Sequence, residues 1–176
     1  MSPERRGDKY RISFEEVTSN AKEIMRKDGH HVPILIVEGS KNFIVSQIQE
    51  MPETHRERME LMRFFGMTAA KSGKVGRLEQ VFFISEGWMS VANEGKLPEN
   101  GPSQDPNRKE VLIISGLQLN GFKKSLRLFE MVRNQGKQVV DLPELLAPQR
   151  EEGDIEIPLL DAFAQGFRLA IQMKVN

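Results

Sequence analysis

Two short runs of the chain are apolar at every position, and they limit what it can fold into more than any other feature does. Residues 81–84 and 111–114 contain only valine, leucine, isoleucine and phenylalanine. Successive side chains of a strand point to opposite faces, so such a run presents apolar side chains on both faces. We therefore predict that both runs are central strands of a sheet.

Amphipathic segments of helical period lie before, between and after the predicted strands. Their apolar spacing predicts helices over residues 13–28, 54–71 and 158–173, and the first two begin with the Ser/Thr-x-x-Glu spacing of a capping box. Turn-forming residues separate the strands, which favours hairpins. The resulting order, α-ββ-α-ββββ-α, indicates an α+β fold in which amphipathic helices cover one face of an antiparallel sheet of five to six strands.

The segment over residues 122–133 fits the period of a helix and also that of a strand. Asn120 and Gly121 before it form a strong hairpin signal, and residues 134–136 after it also favour a turn. These flanking turns lead us to predict a strand.

This strand would carry several cations beside one aromatic ring. Lys123, Arg127 and Phe129 share a face in a strand, and cations interleaved with rings are typical of a platform for single-stranded nucleic acid. A solvated edge strand, whose charges prevent pairing with another chain, explains the same pattern. We favour the second interpretation and expect no nucleic-acid partner.

The length and apolar content of the chain fit one domain. It has 176 residues, of which 39% are hydrophobic, within the roughly 100–200 residues of a typical domain. Residues 1–11 carry almost nothing apolar, which predicts a flexible N-terminal arm, so we expect residues 12–176 to form a single α+β domain. Three prolines within residues 92–108 predict a long loop.

The inventory of residues argues against several classes of protein. The 25 basic and 25 acidic residues cancel, so no chain-wide field attracts nucleic acid or an anionic membrane. Without cysteine there are no disulfides, thiolate nucleophiles or cysteine zinc sites. No apolar run approaches the roughly 20 residues that span a bilayer, and no signal-peptide core is visible. We expect a cytoplasmic protein with no membrane partner.

Metal and cofactor sites are equally poorly supported. His30 and His31 would point to opposite faces of an extended chain, and His55 falls in the exposed first turn of a helix. The glycine-rich loops that bind nucleotide phosphates do not occur in the sequence. We therefore predict neither a metal nor a cofactor.

One carboxyl group is a candidate for acid–base chemistry. Glu86 would share a strand face with Ile84 and Trp88, which could partly withdraw it from water. The alternative is a residue near the end of the strand that is exposed or bonded to a cation across the sheet, and we favour that alternative. Glu38 holds a similar place at the end of its own strand, but Gly39 begins a turn there, which favours a structural role more strongly.

The loop that leads into the second central strand supplies candidate ligand-binding residues. Ser103, Asp105 and Arg108 combine a hydroxyl, a carboxyl and a guanidinium group, and binding residues often collect on such loops. If the loop folds back over the preceding strand, Asp105 and Arg108 line one concave site together with Glu86 and Trp88. Ordinary turn chemistry, with Asp105 capping a turn, explains the same residues.

Two classes of function follow from these observations. The first is a non-catalytic module that binds a protein or a small molecule, or that assembles with a second copy of itself. The alternative is a small hydrolase or isomerase that uses Glu86 as acid or base with Asp105 and Arg108 nearby. We favour the binding module.

Overall fold

Helices and strands follow one another in mixed order along the chain. The structure, a computed structural model, describes residues 11–90, 101–145 and 156–175. Most of the predicted arm over residues 1–11, and residues 92–100 of the predicted loop, lie outside these ranges. The described elements are α1 (Phe14–Asp28), β1 (Ile34–Gly39), β2 (Phe43–Gln47), α2 (His55–Ser72), β3 (Leu78–Met89), a 3-10 turn (Pro102–Gln104), β4 (Lys109–Gln118), β5 (Lys123–Glu130), β6 (Val132–Arg133), β7 (Val139–Asp141) and α3 (Pro158–Val175).

Five of the strands form one antiparallel sheet in the order β2-β1-β3-β4-β5. β3 and β4, which contain the two fully apolar runs, lie next to each other inside it, and Ile84 pairs with Ile114. Most of the ambiguous segment forms the edge strand β5, whereas its last two residues form β6, which makes a separate two-stranded ribbon with β7. The α+β fold with an antiparallel sheet, predicted from the sequence, is confirmed.

Helices lie on both faces of this sheet, whereas the sequence led us to expect one covered face. Phe83 and Val81 point into a core that they share with α2 and α3. Phe82 and Ile84 point into a second core, which includes residues of α1 and β7. Because β3 is apolar on both faces, each face needs its own layer to exclude water.

Local capping signals define the ends of the first two helices. The side chains of Ser13 and Thr54 each accept a hydrogen bond from the backbone N–H of the glutamate three residues on, and the carboxylate of that glutamate accepts one from the backbone N–H of the cap residue. Gly29 and Gly73 end the helices in the left-handed conformation, which a residue without a Cβ adopts at little cost. The predicted helix starts agree with the observed ones to one residue.

A pair of glycines brings α2 and α3 into backbone contact. A Cβ placed on Gly66 would lie 2.0 Å from the carbonyl oxygen of Phe163, and one placed on Gly166 would lie 2.0 Å from that of Arg63. Glycine in a helix interior costs about 1 kcal/mol relative to alanine. The close contact of the two helices explains why both positions are nevertheless occupied by glycine.

Replacing either glycine by alanine should therefore destabilise the protein although alanine favours the helix. We expect Gly66→Ala and Gly166→Ala each to lower the free energy of unfolding by about 1–3 kcal/mol, because the helices must separate to admit the methyl group. Urea denaturation measures this. Thr68→Ala, at an exposed position of α2, is the control and should change little; an unchanged midpoint for both glycine variants would contradict the packing described here.

Candidate functional site

Two of the predicted site residues, Glu86 and Trp88, lie where β3 extends beyond its neighbour β1. β1 pairs with β3 only as far as Ile84, whereas β4 pairs with β3 as far as Met89. The overhanging end of β3 forms the floor of a cleft of about 460 Å³, which we call the Trp88 cleft. Its lining residues come from several parts of the chain: Glu53, Arg58, Glu86, Gly87, Trp88, Pro102, Glu110 and Met131.

Trp88 and Arg108 are in direct contact at this cleft. The guanidinium carbon of Arg108 lies 4.0 Å from the centroid of the indole ring, a cation–π geometry. The chain therefore folds back so that the residue before β4 covers the end of β3. Trp88 is still 42% exposed, so the contact fixes the ring without burying it.

Glu86 lies in the same cleft but is exposed. Its Oε1 accepts a hydrogen bond from the backbone N–H of His31, a buried residue on the segment between α1 and β1. The carboxylate thus ties the overhanging end of β3 to the chain that leads into β1. Glu86 is thus exposed near the end of the strand, and its hydrogen-bond donor is a backbone amide rather than a cation.

Asp105 does not line the cleft. It is buried, and its Oδ1 accepts a hydrogen bond of 2.9 Å from the backbone N–H of Asn107. Its backbone carbonyl oxygen accepts a second hydrogen bond, of 3.1 Å, from the backbone N–H of Arg108. This is the turn chemistry that competed with a binding role for Asp105. Ser103 belongs to the 3-10 turn, next to Pro102, which does line the cleft.

Sequence reasoning missed the walls of the cleft. Glu110 is the direct cross-strand partner of Trp88, so antiparallel pairing of the two central strands is the signal that could have found it. Its carboxylate forms an ion pair of 2.6 Å with Arg133. Arg58, whose Nε donates to the carbonyl oxygen of Pro52 at 2.6 Å, comes from α2, and no local pattern places α2 against this end of β3.

Of the two carboxylates compared in the sequence, Glu38 is the buried one. It accepts hydrogen bonds from the side-chain amide of Gln80 and from the backbone N–H of Ile12, at 3.3 Å for the latter. Gln80 also donates to the carbonyl oxygen of Ile12 at 2.6 Å. Strand β1 continues through Gly39, so Glu38 lies within the sheet, where these bonds hold the segment before α1 against β1 and β3.

A larger cleft, of about 660 Å³, lies beside this polar network. Gln80, Gln118, Arg11 and Arg77 are among its lining residues. None of the site residues predicted from the sequence lines it.

The cationic face of β5 does not present a stacking platform. The ring of Phe129 is buried, and the ammonium of Lys22 lies 4.6 Å from its centroid. Arg127 donates two hydrogen bonds of 2.7 Å to Glu144 and contacts Glu15 at 2.9 Å. The ring is therefore unavailable to a base, and the guanidinium is neutralised by two carboxylates.

These contacts change how Glu144 and Arg127 titrate. The hydrogen bonds from the Arg127 guanidinium hold the pKa of Glu144 below its ordinary value. In return, the hydrogen bonds to Glu144 raise the pKa of Arg127. Both shifts stabilise the charged pair in the folded state.

The described ranges hold neither a cluster of metal-binding side chains nor a membrane-spanning helix. No group of three or more His, Asp or Glu side chains there could hold a metal ion. Among the helices of those ranges, none has the length and apolar character to cross a membrane.

Comparison with protein-family models identifies a family for this chain. Residues 3–166 match the family model described as Bacteriophage lambda protein ea47. No curated protein and no solved structure matches the chain. The match therefore assigns a family and brings no ligand, substrate or partner with it.

The Arg127–Glu144 pair should make part of the stability depend on pH. Since folding lowers the pKa of Glu144, the stabilisation is present above the ordinary glutamate pKa and is lost as the pH falls through the folded value. Glu144→Gln should lower the free energy of unfolding by about 1 kcal/mol or less at about pH 7, because the pair is partly exposed. The difference from wild type should shrink at about pH 3.

Urea denaturation at both pH values measures this difference. Glu23→Gln, at an exposed position of α1, is the matched control and should resemble wild type at both. A Glu144→Gln effect of equal size at the two pH values would contradict the assignment.

Proposed function

This chain belongs to the Bacteriophage lambda protein ea47 family, and we propose that it is a binding module whose ligand site is the Trp88 cleft. The proposed ligand is a small molecule or a projecting segment of a partner protein. We further propose that the protein is cytoplasmic, as expected from the sequence. The cysteine-free composition of the chain is compatible with this location.

The observation that carries this proposal is the half-exposed indole of Trp88 held by Arg108 at 4.0 Å. Tryptophan and arginine are the residue types most enriched among those that dominate binding energy. An aromatic ring fixed before the ligand arrives loses little conformational freedom on binding. The cleft volume of about 460 Å³ also falls within the roughly 300–1,000 Å³ of typical ligand sites.

The lining suits a ligand with polar groups around an apolar centre. Trp88 and Met131 provide apolar surface, while Glu53, Glu86 and Arg58 provide charges of both signs. Apolar contact supplies affinity in such sites, and a few polar groups fix the orientation of the ligand.

The environment of Glu86 favours binding over catalysis. A general acid or base works best when its surroundings tune it and its reactive oxygen is accessible to substrate. Glu86 is exposed, and one carboxylate oxygen is engaged by His31. Asp105, which we expected near Glu86, instead accepts a hydrogen bond within its own turn.

Trp88 also provides the means to test the proposal, because it is the one tryptophan of the chain. Random peptides and small molecules can be selected on the immobilised full chain and titrated while tryptophan emission is followed. We expect ligands of the cleft to change this emission. Trp88→Ala, measured by calorimetry, should weaken their binding by about tenfold or more, since a central aromatic contact is worth roughly 2 kcal/mol.

The matched control is Phe122→Ala, which removes an exposed ring at the β4–β5 turn and should leave affinity unchanged. Full affinity in folded Trp88→Ala would place the ligand site elsewhere. An esterase, phosphoesterase or glycosidase activity that disappears in folded Glu86→Gln would replace the binding module with the enzyme.

A further inference from the structure

The two edges of the sheet are built differently. At the outer edge of β5, Leu145 donates a backbone hydrogen bond of 2.8 Å to Leu128, and Glu130 donates one of 3.0 Å to Pro143. The segment after β7 thus covers part of that edge. At the opposite edge, β1 is the only strand with which β2 pairs in the described part of the chain.

β2 also lacks the features that prevent strand edges from associating. Natural edge strands carry lysine, proline or a bulge. β2, with the sequence Phe-Ile-Val-Ser-Gln, has no charged residue and no proline, and its register with β1 is unbroken. Phe43 and Val45 are 54% and 55% exposed and, by strand alternation, share one face.

The pairing with β1 determines which backbone groups point outward. Asn42 accepts a hydrogen bond from Gly39, and Ile48 donates one to Pro33, so both of these residues are bonded towards β1. In an antiparallel ladder this direction alternates from residue to residue. The N–H and C=O groups of Phe43, Val45 and Gln47 therefore point away from β1. The N–H of Phe43 donates to Oδ1 of Asn42 at 2.9 Å, a local bond that pairing with another strand would replace.

We propose that two copies of this chain pair β2 against β2 in antiparallel orientation, which makes one continuous ten-stranded sheet. Residues whose backbone groups point outward must face each other across the new contact. In the register that pairs Phe43, Val45 and Gln47 of both copies, Val45 lies opposite Val45 of the second copy and Phe43 lies opposite Gln47. The two-fold axis then passes beside Val45. The proposal goes beyond the Trp88 cleft and does not depend on it.

Side chains and charges fit a second copy in this register. Across the axis the two Val45 side chains meet, and Phe43 lies diagonal to Val45 of the other copy, so the exposed apolar groups cover one another. Lys41 precedes β2 and Glu50 follows it. Antiparallel pairing brings Lys41 of one copy near Glu50 of the other at both ends, so the strand is complementary to itself in charge.

A charge-swap experiment on the full chain tests both the dimer and its register. Light scattering after size exclusion should give wild type twice the chain mass of 20.1 kDa. Val45→Lys and Val45→Glu should each give the monomer mass, because like charges then meet at the axis. An equimolar mixture of the two variants should recover the dimer mass, since opposite charges meet.

Controls separate loss of pairing from loss of fold. Val140→Lys places a lysine on the exposed face of β7 and should stay dimeric, and circular dichroism should show all variants folded. Wild type that is monomeric at every concentration, or folded Val45→Lys that is still dimeric, would overturn the proposal. A mixture that stays monomeric would overturn the register at Val45. Trp88→Ala should remain dimeric, so this result is independent of the ligand cleft.

Discussion

The pairing of β3 with β4 supports both layers of the molecule. Phe82 and Phe83 are adjacent in sequence, are both buried, and point into different hydrophobic cores. Burial of each such side chain contributes roughly 1.5–3 kcal/mol. Helix α1 on one face and α3 on the other gain most of their stability by packing on such surfaces, since isolated helices of this length are marginal in water.

Features with local causes could be predicted from the sequence. The Ser13 and Thr54 capping boxes define helix starts within a few residues of chain, and the apolar runs define the central strands without reference to anything distant. Trp88 and Arg108 were placed in one candidate site because strand alternation and a returning loop suffice to bring them together. The turn formed by Asp105 also has a local cause, because its hydrogen-bond donor lies two residues further along the chain.

Features with distant causes could not be predicted. The burial of Glu38 and the exposure of Glu86 depend on what packs against each strand end: Ile12 and Gln80 enclose the first, whereas β1 stops short of the second. Arg58 reaches the cleft from the first turn of α2, a helix that packs chiefly on α3. Glycine is needed at position 166 because the backbone of α2, about a hundred positions earlier in the chain, lies against it. The sequence of α3 alone does not indicate this contact.

The glycine contact between α2 and α3 has a consequence for how the chain acquires its structure during synthesis. α2 packs chiefly on α3, and all the strands lie before α3 in sequence. On the ribosome, the sheet can form while the face that carries Val81 and Phe83 still lacks this layer. The nascent protein therefore passes through a stage at which half of its core is open to water and to other chains. Final closure depends on a contact of very long sequence separation, a kind of contact that forms slowly.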